Sequence, residues 1–111
     1  MGKCLYFCHH TVSPQITTFL RNSTIVKAQN LTLTCAANAD PRPVFVWRFK
    51  GERISTVANK YHIVTNSNIS TLIVIGVTGS DEGDYKCSVS NRFGPDSTSA
   101  FITIQGMWIF E

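Results

Sequence analysis

The sequence is short of charge and has no long apolar run. Asp, Glu, Lys and Arg make up 15% of its 111 residues, against roughly a quarter in ordinary soluble domains. Its net charge is +3. The cations are scattered instead of forming the basic stripe that nucleic acid requires, so nucleic acid is not an expected partner. No apolar stretch approaches the roughly eighteen residues of a membrane helix, so this segment is not expected to insert into a bilayer. No segment carries the 3.6-residue repeat of an amphipathic helix. A phosphate-cradling glycine loop, a nucleophile elbow and a helical histidine pair are also missing. The chain therefore reads as a non-enzyme, with no catalytic residue, cofactor or metal expected. The leader "MGKCLYFCHH" is too short for a signal peptide and lacks a small-residue cleavage site. Tyr6 stands where a myristoylation motif wants Ser or Thr. If the domain is extracellular, it is expected to be a piece of something larger.

What the chain has in quantity is uncharged polarity, with 22 Ser and Thr and 7 Asn. From residue 11 to 105, short runs of period two alternate with turn signals, which is the strand signature. "NLTLTCA" puts Leu31, Leu33 and Cys35 on one face, and "VFVWRFK" does the same for Phe45, Trp47 and Phe49. "DPRP" is a loop, because prolines cannot donate to a ladder. "KGER" turns the chain, "ISTVA" reads as a short edge strand, and "KYHIV" as another strand. "STLIVIGV" points Leu72 and Val74 inward, with Val77 at its end. "DYKCSVS" does so with Tyr85, Cys87 and Val89, and "STSAFITIQ" with Ala100, Ile102 and Ile104. "SPQITTF" and "STIVKA" supply a divided first strand. About eight short strands in this length point to an all-β sandwich of two antiparallel sheets packed face to face. The domain is expected over residues 11–105. Residues 1–10 read as a leader or disordered tail, and residues 106–111, "GMWIFE", as a second tail.

One constellation is more specific. Cys35 is followed by Trp47 twelve residues later, and Tyr85 stands two residues before Cys87 in "DEGDYKC". With "PRPVFVW", "LIVIGV" and "NRFG", this spacing resembles the immunoglobulin domain. The likeness is greatest to the intermediate (I-set) type of cell-adhesion molecules and receptor ectodomains. The resemblance implies an inter-sheet disulfide between Cys35 and Cys87, with Trp47 packed beside it. It implies that Tyr85 lays its ring in the core and returns its hydroxyl to backbone at the corner. Asp81 accepts hydrogen bonds in that corner and awaits a cation, with Lys60 and Arg53 the candidates. Gly83 allows a tight path into the strand, and Leu72 belongs to the core.

Three sequons, at Asn22, Asn30 and Asn68, are glycan acceptors in a secreted chain. In the implied topology all three are expected on one sheet, which leaves the other bare to bind. On that bare sheet the candidate binding residues are Val46, Arg48, Lys50, Lys86 and Phe101, with Phe101 expected near Val46. Cys4, Cys8, His9 and His10 admit a local disulfide or a metal site. A disordered leader fits better, because zinc sites space their histidines apart. The resemblance implies an extracellular or cell-surface protein-binding module for adhesion or receptor recognition. Its expected partner is a protein of the same family, met homophilically or heterophilically. Two alternatives share the fold: an intracellular structural domain of muscle-filament type, and the ligand-binding module of a receptor kinase or phosphatase.

Overall fold

The computed structural model describes residues 12–106. Nine strands form two sheets: β1 (Val12–Thr18), β2 (Ser23–Val26), β3 (Leu31–Asp40), β4 (Val44–Phe49), β5 (Glu52–Arg53), β6 (Tyr61–Asn66), β7 (Ile69–Val74), β8 (Gly83–Asn91) and β9 (Gly94–Gln105). One sheet runs β1-β3-β7-β6 and the other β2-β9-β8-β4-β5. The divided first strand is real, and its halves part company. Strand β1 pairs antiparallel with β3, whereas β2 crosses over and pairs parallel with β9. Among the described residues no helix is long and apolar enough to cross a membrane.

Alternation explains the strands. In β3, Leu31, Leu33, Cys35 and Ala37 are buried while Thr32, Thr34 and Asn38 are exposed. In β8, Gly83, Tyr85, Cys87 and Val89 face the core in the same rhythm. The inward sets of both sheets make one core, to which Leu72, Val74, Val77 and Ile102 contribute fully buried side chains. The β4–β5 link is a two-residue hairpin with Lys50 at φ 52° and Gly51 at φ 83°. Two positive φ values match the twist of the flanking strands. The edge strand after this turn is only Glu52–Arg53, not "ISTVA". Ile54 instead turns inward and is buried, and Val57 makes a lone bridge to Tyr61. Ile54 keeps one further bond to β4, its N–H donating to the Trp47 carbonyl at 2.8 Å, while its side chain closes the open edge of the sandwich. The sequence reading of residues 1–10 and of 107–111 lies outside the described residues.

The Cys35–Cys87 disulfide joins the two sheets, with the Cα atoms 6.5 Å apart. Trp47 pairs in register with Cys87 and lies buried beside the bridge. A buried indole N–H needs a partner. Ser70, fully buried on β7, accepts it at 2.9 Å and is tied in turn to Thr65 at 2.8 Å.

The corner holds a second buried polar group. A 3₁₀ turn at Gly79–Asp81 leads into β8. The Asp81 carboxylate, 4% exposed, accepts from Lys60 Nζ at 2.6 Å and from the Thr78 N–H at 2.8 Å. Lys60 is therefore the cation of the corner, and Arg53 is not, because Arg53 pairs across from Arg48 on the outward face. Tyr85 donates its hydroxyl to the Asp81 carbonyl at 2.6 Å. Burial, then the Asp81 charge, then Tyr61, push the Tyr85 phenol well above the usual tyrosine range. Gly83 sits at φ 150°, and a Cβ there would lie 2.7 Å from Lys50 Cε and 3.1 Å from Phe49 Cε1.

Two outcomes are expected. Because the folded-state phenol titrates above its unfolded value, its contribution to stability is full below about pH 10 and declines above it, by up to about 1.4 kcal/mol per pH unit. Tyr85→Phe removes the bond to the Asp81 carbonyl and should cost about 1–2 kcal/mol at neutral pH. Urea unfolding at pH 7.5, 10 and 11 should show this deficit shrinking as pH rises. A constant deficit would contradict the assignment. Lys60→Met leaves the Asp81 carboxylate without its cation and should cost about 2 kcal/mol, because Lys60 is itself partly solvated. Arg53→Met in the same assay should be near neutral.

Candidate protein-binding face

The two outer faces differ in charge. On the four-stranded sheet the outward positions of β3, β7 and β6 line up as Thr32–Ile73–His62 and Thr34–Thr71–Val64. Ala36, Ile69 and Asn66 form the next row. None of these nine is Asp, Glu, Lys or Arg. The five-stranded sheet is different. Lys86 on β8 stands directly opposite Arg48 on β4, and Arg48 directly opposite Arg53 on β5. Ser99 on β9 ends the row.

Three cations thus lie within two strand spacings, about 10 Å. That is close to the screening length of about 8 Å at physiological salt, so they sense one another. Like charges directly opposite each other destabilise a sheet. None of the three makes an ion pair, the single one among the described residues being Lys60–Asp81, and the outward carboxylate of Asp84 stands two residues from Lys86 at one end of the row. The row concentrates positive charge on an otherwise lightly charged surface.

The expected binding residues are not one patch. Arg48 and Lys86 are neighbours in the row. Val46 lies in the next row toward one end, paired with Ser88, and is half-buried. Phe101 lies in the row toward the other end, paired with Asp84, and is 44% exposed. Phe101 and Val46 are therefore about 13 Å apart along the strands and about 10 Å across them, with the cationic row between. The sequence reading placed them together because alternation gives the face of a residue but not its register. Lys50 also leaves the face. It occupies the hairpin turn, its stem crosses Gly83, and its ammonium lies 5.2 Å from the Phe49 ring centroid. Arg53, a sequence-level candidate partner for Asp81, takes its place in the row.

Beside the row, the edge of the sandwich opens between β5 and β6. A groove of about 510 Å³ runs there, lined by Phe49, Ile54, Val57 and Tyr61 together with the charged Lys50, Glu52 and Arg53. Exposed Val57 stands in it. The buried Ser70 was also missed. Its signal was in the sequence, since it shares the inward period-two positions with Leu72 and Val74, and a hydroxyl there requires a partner.

The sequons do not fall on one sheet. Asn30 precedes β3, and its Oδ1 accepts from the Gly76 N–H at 2.9 Å. Asn68 lies in the β6–β7 turn of the same sheet. Asn22, however, immediately precedes β2, which belongs to the five-stranded sheet. Its Oδ1 accepts from the Phe101 N–H at 2.8 Å. The crossover between β1 and β2 carries Asn22 to the sheet that was expected to be bare.

Comparison with known proteins agrees with this architecture. The family model described as the immunoglobulin I-set domain matches residues 14–104. Neural cell adhesion molecule 1-A of Xenopus laevis is 35% identical over 96 residues, covering 83% of this chain and 9% of that protein. Vascular endothelial growth factor receptor 1 of Homo sapiens is 33% identical, covering 85% and 7%. That growth factor receptor's share rests on 94 aligned residues. The titin homolog of Caenorhabditis elegans is 31% identical over 84% of this chain and a negligible share of its own length. The solved structure of titin M4 superposes with a TM-score of 0.82 at 22% identity, covering 86% of this chain and 98% of that one, which speaks to the fold. The chain spans less than a tenth of the length of these curated relatives. With the disulfide-bridged sandwich, the buried tryptophan and the tyrosine corner in place, the chain belongs to the immunoglobulin I-set family.

Proposed function

We propose that this domain is an extracellular protein-binding module, one of several in a larger parent, serving cell adhesion or receptor recognition. The observation that carries the reading is the cationic row Lys86–Arg48–Arg53 on the outer face of the five-stranded sheet. Like charges set side by side are a cost to the isolated domain that an acidic protein surface removes. The apolar groove at the end of the row supplies the contact area that charge alone does not. Adhesion-molecule and receptor relatives, the Cys35–Cys87 disulfide and the three sequons support the extracellular setting. The domain acts by docking and has no chemistry of its own to perform.

A second reading has its own support. The likeness to titin domains fits an intracellular structural module of muscle-filament type. There the same sandwich serves as a spacer and its cysteines are kept reduced. The redox state in the native setting separates the two. Protein alkylated as it leaves its cells should carry no label on Cys35 or Cys87 unless reduced first. Labelling of both without reduction would favour the filament reading.

The face itself is tested on an array of purified ectodomains probed with the oxidised domain. Binding is expected, weakening as salt is raised. Arg48→Glu with Lys86→Glu should reduce it by about tenfold or more. Thr34→Ala on the opposite sheet should leave it unchanged. Binding indifferent to the charge reversal would place the contact elsewhere.

A further inference from the structure

The amide of Asn22 is held in place, and an exposed aromatic ring lies beside it. Asn22, Ser23 and Thr24 form a sequon at the start of β2. The Asn22 side chain is exposed, yet its Oδ1 is fixed by the Phe101 N–H at 2.8 Å. The acceptor oxygen of the amide faces the sheet, so its nitrogen is directed away from that bond. Ser23 pairs with Ile102, so Asn22 sits level with Phe101, one strand spacing (about 4.8 Å) away. Phe101 points outward and is 44% exposed, and its ring has no aromatic or cationic partner among the described residues. Strand β2 is also the open edge of its sheet.

From these positions we infer that Asn22 carries an N-linked glycan whose first sugar packs on the Phe101 ring. The transfer takes the oligosaccharide from a polyprenyl-diphosphate carrier of the secretory pathway. The Asn22 Nδ2–C1 bond forms, the C1–O bond to the diphosphate breaks, and one Nδ2 proton is lost. The resulting linkage leaves Oδ1 free to keep its bond to Phe101 N–H. The C–H face of a pyranose carries partial positive charge and suits the negative face of an aromatic ring. A glycan here covers the exposed ring and stands beside the unpaired edge of β2, which otherwise invites another strand. It also confines a partner to the other half of the sheet, where Lys86, Arg48 and Arg53 lie.

This inference rests on the extracellular reading, so the test supplies the secretory route itself. The full chain is secreted from cultured animal cells behind a cleavable signal peptide, and disulfide formation at Cys35–Cys87 is checked. Release of the glycan by a peptide-N-glycosidase in oxygen-18 water converts Asn22 to an oxygen-18-labelled Asp and should mark the site by mass. Thr24→Ala should abolish that mark while keeping the Asn22 amide. In NMR spectra, the protons of the Asn22-linked N-acetylglucosamine should show cross-peaks to the Phe101 ring and upfield ring-current shifts. Both should vanish in Phe101→Ala. Oxidised, secreted protein with an unmarked Asn22 would overturn the site, whatever the native location of the domain. A marked Asn22 with sugar shifts unchanged in Phe101→Ala would overturn the packing.

Discussion

The structure depends on one cross-link and the plate packed against it. Two sheets that meet only through apolar side chains can slide and repack. The bridge between Cys35 and Cys87 sets their separation at the centre of the core. Closing a loop of 52 residues also removes unfolded-chain entropy worth about 4 kcal/mol on the loop-closure estimate. Trp47 fills the space beside the sulfurs and brings with it a polar N–H that cannot be left bare. Ser70 meets that N–H from the opposite sheet, so the same residue that packs the core also sets the relative position of β4 and β7. The corner repeats the device. Tyr85 is an apolar plate in the core with its hydroxyl on the Asp81 carbonyl, and Asp81 in turn gathers Thr78 and Lys60.

A core held this way leaves the outer faces free of structural duty, and they diverge. One face is a field of Thr, Ile and Val without formal charge at the paired positions of β3, β7 and β6. The other concentrates three cations in a single row. Both are compatible with the same interior because alternation separates inward from outward chemistry residue by residue. Recognition and architecture can thus vary independently, which is why family membership alone does not say what the domain meets.

Much of the fold was legible in the sequence because its signals are local. The alternations around Cys35, Trp47 and Cys87 specify which side chains face inward, and the structure buries them. The tyrosine two residues before a cysteine specifies a corner. The candidate site was less legible. Arg48 and Lys86 were seen as outward, but their alignment with Arg53, and the distance of Phe101 from Val46, depend on register between strands that are far apart in sequence. Lys50 was misplaced because a two-residue hairpin with positive φ redirects its side chain across the end of the sheet. Asn22 was assigned to the wrong sheet because a divided first strand gives no local sign of where its second half pairs.

The chain itself shows which side chains of each strand face inward, because period-two burial acts within a single strand, and its Cys, Trp and Tyr-x-Cys spacing carries the family resemblance that implies the bridge and the corner. That Lys60 and not Arg53 answers Asp81, that three cations share one row, and that Asn22 accepts from the Phe101 N–H emerge only from the folded arrangement. Those outcomes turn on which strands become neighbours and in what register. Pairing between distant segments is chosen by the packing of the whole core, and no stretch of the chain carries that choice alone.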